Sequence, residues 1–117
     1  RPQIGRDAGL LGVRLNGAIT DIPVQSNGDV LPGTGGMSVT TTRPEDLPKP
    51  IRPKRYGGQS RYTAFQIVDD SLIGGSLQCR QTGPVQSHSV VEPSRAMPLQ
   101  QYEASLAATH PHWEKCP

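Results

Sequence analysis

A chain of 117 residues with a formal net charge of +2 fits a single domain. No stretch approaches the roughly 18–20 consecutive apolar residues that would span a bilayer, so the reading is a soluble domain with no membrane partner. Only 33% of residues are hydrophobic and 4% aromatic, against 13 Gly and 12 Pro, which excludes a thick core. A domain of this length should bury about two thirds of its unfolded surface, so strand pairing, rigid loops and a bound partner must supply much of a marginal stability. The sequence starts at Arg1 with no charged-then-apolar leader, and is expected to be the C-terminal piece of a longer chain with 1–9 as a flexible lead-in.

From Leu10 to Val30 short apolar groups alternate with the turn pairs Asn16-Gly17 and Asn27-Gly28, which predicts two or three short strands in hairpins. Gly33-Thr34-Gly35-Gly36 cannot hold regular structure, whereas Met37 to Thr42 is β-branched and alternating. A tight loop therefore enters a strand that Pro44 ends. Prolines 44, 48, 50 and 53 exclude a sustained helix or central strand and predict an extended loop over 43–61, with one helical turn at Pro44 to Leu47. That loop is basic: Arg43, Lys49, Arg52, Lys54, Arg55 and Arg61 face only Glu45 and Asp46.

Tyr62 to Val68 reads as a central strand, with Tyr62, Ala64, Gln66 and Val68 on one face and Thr63, Phe65 and Ile67 on the other. Leu72 to Cys79 and Gln86 to Glu92 predict two more strands, the second stopped by Pro93. Pro98 to Thr109 predicts a helix whose Leu99, Tyr102 and Leu106 face the sheet, ended by Pro111, with Trp113 at the core rim. Cys79 and Cys116 lack C-x-x-C spacing, which points away from zinc and leaves open one disulfide or two thiols. His110 and His112 flank Pro111 with no third ligand in view, so no metal is expected.

Gly35-Gly36-x-Ser38-Val39, followed by His88-x-x-x-x-Pro93-x-x-x-Met97 and then a closing helix, resembles the small ADP-ribosyltransferase-like toxins of type VI secretion and polymorphic toxin systems. The resemblance spans roughly residues 30 to 113 without a long continuous match. It implies an α+β, mostly β fold of two small sheets around a cleft with a C-terminal helix, and transfer of ADP-ribose from NAD to a macromolecular acceptor, protein or structured RNA. It further implies secretion from a producer, action in the target-cell cytoplasm, and a cognate immunity protein. Ser38 matches the serine on the strand lining the cleft, and His88 the histidine of the late strand. Arg14 stands where such folds keep an Arg or His that grips the dinucleotide. Met37 departs from the threonine of the family pattern.

Cleaving the nicotinamide bond develops an oxocarbenium-like centre that needs nearby negative charge and a firmly held ribose. Of the glutamates 45, 92, 103 and 114, only Glu92 lies on the late strand with His88. On a regular strand the two backbones would stand about 13 Å apart on one face, serving different parts of NAD. The expected catalytic residues are thus Glu92, His88 and Ser38, with Arg14, Gly35, Gly36, Ser38 and His88 holding the cofactor. The basic loop would hold pyrophosphate or face the target. Two other readings compete: an NAD-independent ribonuclease using His88 with the basic loop, and a non-enzymatic Pro-rich interaction module.

Overall fold

Short runs far apart in the sequence complete one another's backbone hydrogen bonds as strands, as shown by a computed structural model that describes residues 3–5, 22–61, 63–69, 71 and 73–117. The strands are β1 (Gln3–Gly5), β2 (Asp29–Val30), β3 (Met37–Thr40), β4 (Phe65–Ile67), β5 (Leu77–Gln81), β6 (His88–Pro93), β7 (Met97–Pro98) and β8 (Glu114–Lys115), with one α-helix, α1 (Leu99–Ala108). A six-stranded sheet runs in the order β5-β6-β3-β1-β4-β8, and β2 pairs with β7 in a second, two-stranded sheet. Among the described residues the named strands all pair antiparallel. The domain is α+β and mostly β, with its helix towards the C-terminal end. No helix among the described residues is long and apolar enough to cross a membrane.

Because side chains alternate along a strand, the large sheet buries two different sets. Met37 and Val39 of β3, Ile67 of β4, Leu77 of β5 and Val91 of β6 meet Tyr102 and Leu106 of α1 and Trp113 in the main core. The opposite face carries a smaller cluster of Ile4, Leu47, Ala64 and Cys116, flanked by Ile51 and Tyr56. Leu47, Ile51 and Tyr56 all come from the Pro-rich segment, so that segment is a cover over β1 as well as a solvated loop.

Several expectations are met closely. The helix spans Leu99–Ala108 with Pro98 as its N-cap, and Tyr102 and Leu106 are buried. Trp113 is buried, its indole N–H donating to Thr109 Oγ1 at 2.9 Å. A 3₁₀ turn occupies Pro44–Asp46. Around Asn27-Gly28 the chain turns, with Gly28 at φ 91° and the Asp29 amide donating to Asn27 Oδ1 at 3.0 Å, but the expected hairpin does not form there, since 22–28 is not a strand and β2 pairs with β7.

Other expectations are corrected. Gln3–Gly5, read as flexible lead-in, is a strand held between β3 and β4, because the edges of both need a partner. The strand over 62–68 narrows to Phe65–Ile67 and lies one place in from the short edge strand β8 rather than at the centre. The strand placed at 72–79 shifts to Leu77–Gln81, since Gly75 at φ 63° makes a turn where pairing was expected to begin. Ile22 is buried but not in a strand. The Asn16-Gly17 hairpin, Arg14 and Tyr62 lie outside the described residues.

Cys79 and Cys116 form no disulfide. Cys79 packs beside the main core and Cys116 belongs to the smaller cluster on the opposite face, so the sheet itself stands between them.

Candidate functional site

The glycine loop before β3 adopts backbone conformations closed to most L-residues, with φ of 81° at Gly33, 151° at Gly35 and 152° at Gly36. At Gly36 a Cβ would lie 2.5 Å from the Val91 carbonyl oxygen of β6, so only glycine lets the loop close down on that strand. The close approach that glycine permits at 36 is therefore made to the protein's own backbone.

Glu92 anchors the other side of the same loop. Its carboxylate is fully buried, with Oε2 accepting the Gly33 N–H at 2.6 Å. Its Oε1 accepts Arg80 Nε at 2.6 Å and Gln78 Nε2 at 3.4 Å, both from the neighbouring strand β5. A buried carboxylate is tolerated only with such partners. The ion pair is lopsided in exposure, 37% for the Arg80 side chain against 0% for Glu92, so the guanidinium reaches water and the carboxylate does not.

Tyr102 of α1 closes the arrangement from the core side. Its hydroxyl donates to the Val91 carbonyl at 2.6 Å and accepts the Met37 N–H at 3.3 Å. Met37 and Val91 are register partners, so the tyrosine oxygen stands between the donor and acceptor of two facing strands at the entrance to β3.

The β3–β6 register sets Ser38 opposite Val90, and alternation puts His88, Val90 and Glu92 on that same face. Ser38 and His88 are half-buried, and Glu92 is buried beneath the glycine loop. The His88 ring is oriented by Thr82, with Nδ1 2.8 Å from Thr82 Oγ1. Its backbone is pinned to the β5–β6 turn, the His88 N–H donating to Val85 O at 3.0 Å and its carbonyl accepting the Thr82 N–H at 3.0 Å. Gly35 is half-buried and Gly36 buried beside the same strand. Arg14 lies outside the described residues.

The expected residues thus share one sheet face but differ in availability. Ser38 and His88 present side chains, whereas both oxygens of Glu92 are engaged in holding Gly33, Arg80 and Gln78 in place. Arg80, Gln78 and Tyr102 were missed by sequence reasoning. The turn signal Thr82-Gly83-Pro84 between two apolar-polar runs marks a hairpin, and pairing across it brings Gln78 opposite Glu92 and Arg80 opposite Val90. Nothing local marks Tyr102 as more than a core residue.

Among the described residues, two surface depressions lie elsewhere. One of about 360 Å³ is lined by Pro53, Lys54, Arg55, Ser60, Arg61 and Thr63. The other, about 200 Å³, lies between the Gly74–Leu77 turn and the end of α1. Among the described residues no group of three or more His, Cys, Asp or Glu side chains is placed to hold a metal ion. Burial pushes the Cys116 thiol above its ordinary value, and the Thr42 hydroxyl together with Arg43 holds the Asp46 carboxyl below its own. No family model matches this chain, nor does any curated protein or solved structure compared with it.

Proposed function

We propose that this chain is the catalytic domain of an antibacterial effector that transfers ADP-ribose from NAD to a macromolecular acceptor in a recipient cytoplasm. A cognate immunity protein would neutralise it in the producer. One observation carries the reading: the two separated motifs form one hydrogen-bonded unit. Gly36 closes on Val91, Gly33 donates to Glu92, β3 pairs with β6, and the following helix sends Tyr102 between the two strands. Met97, the last motif residue, is buried and pairs with Val30 just before the glycine loop.

In this reading the six-stranded and two-stranded sheets form the walls of an ADP-ribosyltransferase-like fold. The bond from the ribose C1′ to nicotinamide breaks, nicotinamide leaves with the bonding electrons, and an acceptor nucleophile bonds to C1′ as it loses its proton. Ser38 holds the ribose, His88 hydrogen-bonds a ribose hydroxyl or the carboxamide, and the loop from Gly33 to Gly36, closed down on β6, forms the rim of the cleft beside them. Glu92 serves as a positioning residue, since its bond to Gly33 sets the height of that loop over β6.

The test is incubation with labelled NAD and a bacterial lysate. Wild-type protein should mark protein or RNA. His88→Ala and Ser38→Ala should lower the label by about 100-fold or more while melting at the wild-type temperature. Wild-type and variant proteins that are equally inert yet equally toxic would sink the reading, and RNA fragmentation without NAD would replace it with a ribonuclease.

A further inference from the structure

The Pro-rich segment carries more charge than its role as a cover requires, and that charge is sorted. Its only acids, Glu45 and Asp46, sit at one end, where Arg43 lies 3.7 Å from Glu45 and 3.4 Å from Asp46. Arg52 turns inward, its Nε donating to the Leu47 carbonyl at 2.8 Å. Lys54, Arg55 and Arg61 are exposed and have no ion pair among the described residues. All three line the depression of about 360 Å³, together with the hydroxyl-bearing residues Ser60 and Thr63.

The walls of this depression are built and stiff. The Pro53 carbonyl accepts the amides of Tyr56 at 2.9 Å and Gly58 at 3.1 Å, and the Lys54 amide donates to Ser60 O at 3.2 Å. Gly57 takes φ 84°, and a Cβ on Gly58 would lie 2.0 Å from the Arg52 carbonyl oxygen, so the turn closes as tightly as a backbone can. Below it, Tyr56 hydrogen-bonds the carbonyl of Pro117, and the Arg55 guanidinium carbon lies 4.9 Å from the Tyr56 ring centroid. A guanidinium held over a ring keeps its in-plane N–H donors for another partner. The lining residues include three cations and no acidic side chain, so an anion entering the concavity meets positive charge alone.

We infer that Lys54, Arg55 and Arg61 form a phosphate-binding site, taking either the backbone of a single-stranded RNA or the pyrophosphate of a small nucleotide. Arg55 and Arg61 grip phosphate oxygens through their N–H edges and Lys54 adds a point charge. The inference stands independently of ADP-ribosyl transfer, and its assay contains no NAD, so the two readings fail separately.

The experiment measures binding of a labelled single-stranded RNA by anisotropy and of inorganic pyrophosphate by calorimetry, across a salt series. Three phosphate contacts give a slope of about −2 in log affinity against log salt, or about a 20-fold loss between 50 and 200 mM. Arg55→Gln and Arg61→Gln should each reduce the slope by about 0.7. Arg43→Gln, whose charge is already matched, should leave it unchanged, and melting curves establish that every variant is folded. RNA binding alone identifies a nucleic-acid backbone as the source, and pyrophosphate binding alone a small nucleotide; both support the site. Binding of neither, or equal weakening by Arg43→Gln, overturns it, the latter because bulk charge would then suffice.

Discussion

Glu92 and Gly36 sit on either side of the same strand contact, and each is fixed by a different physical constraint. Glu92 is a buried charge whose cost is offset only while Gly33, Gln78 and Arg80 stay in place. Arg80→Ala should therefore destabilise the fold by about 2–3 kcal/mol in urea unfolding, less than the roughly 3–5 kcal/mol of a fully buried pair because Arg80 itself reaches water. Glu92→Ala should cost at least as much, since it strands the Gly33 amide as well. At Gly36 the constraint is space and backbone angle together. Gly36→Ala should cost about 3 kcal/mol, because its Cβ has no room against Val91 and φ of 152° is strained for alanine. A wild-type urea midpoint for Gly36→Ala would contradict the close contact. The sequence marks both positions, as a glycine run and as a glutamate beside a proline. It does not say that Gly33 of that run bonds to Glu92 across 59 residues.

At the scale of elements, α1 was the most legible, because Leu99, Tyr102 and Leu106 repeat at helical spacing and Pro98 starts the first turn. What spacing cannot convey is that the tyrosine hydroxyl completes a gap in the β3–β6 ladder. Tyr102→Phe keeps the apolar contacts and removes that oxygen, leaving a buried amide and a buried carbonyl unpaired. It should cost about 1–3 kcal/mol by thermal unfolding, and amide exchange at Met37 should speed up in the same variant. Unchanged protection at Met37 would mean the strands pair directly. The strand at 65–67 was read in the right phase, since Phe65 and Ile67 join the main core while Ala64 joins the smaller cluster. Its place in the sheet, beside the edge strand β8, is not legible locally, because an alternating run identifies a strand and not its neighbours.

For the molecule as a whole, the large sheet is a partition. The Pro-rich cover closes one half of its second face, over β1 and the chain end, while Ser38 and His88 lie on that face where β3 and β6 pair. The same partition separates the cysteines and makes them unequal. Native protein should lose Cys79 to a thiol reagent well before Cys116, which is only 2% exposed, and denaturation should equalise them. Since burial raises the Cys116 thiol, the folded chain holds its proton to higher pH than the unfolded chain does. Its contribution is fully present below the ordinary thiol value and is lost as pH rises through the folded one. Wild-type melting temperature should fall more steeply above about pH 9 than that of Cys116→Ala, measured relative to each protein's neutral value. Parallel curves would remove the thiol from the account.

By itself the sequence determined what depends on near neighbours along the chain: the glycine loop, the alternation within strands, the amphipathic helix with its proline start, and the basic character of 43–61. These follow from backbone sterics and side-chain periodicity acting over a few residues. Only the tertiary structure decided which strands are neighbours, that Gln3–Gly5 is an interior strand, that Glu92 is occupied by Gly33 and Arg80, and that Lys54, Arg55 and Arg61 share one concavity while Arg43 takes the acids. Those outcomes rest on contacts between residues far apart in sequence, where hydrogen-bond pairing and burial select one arrangement from many that local preference leaves equal.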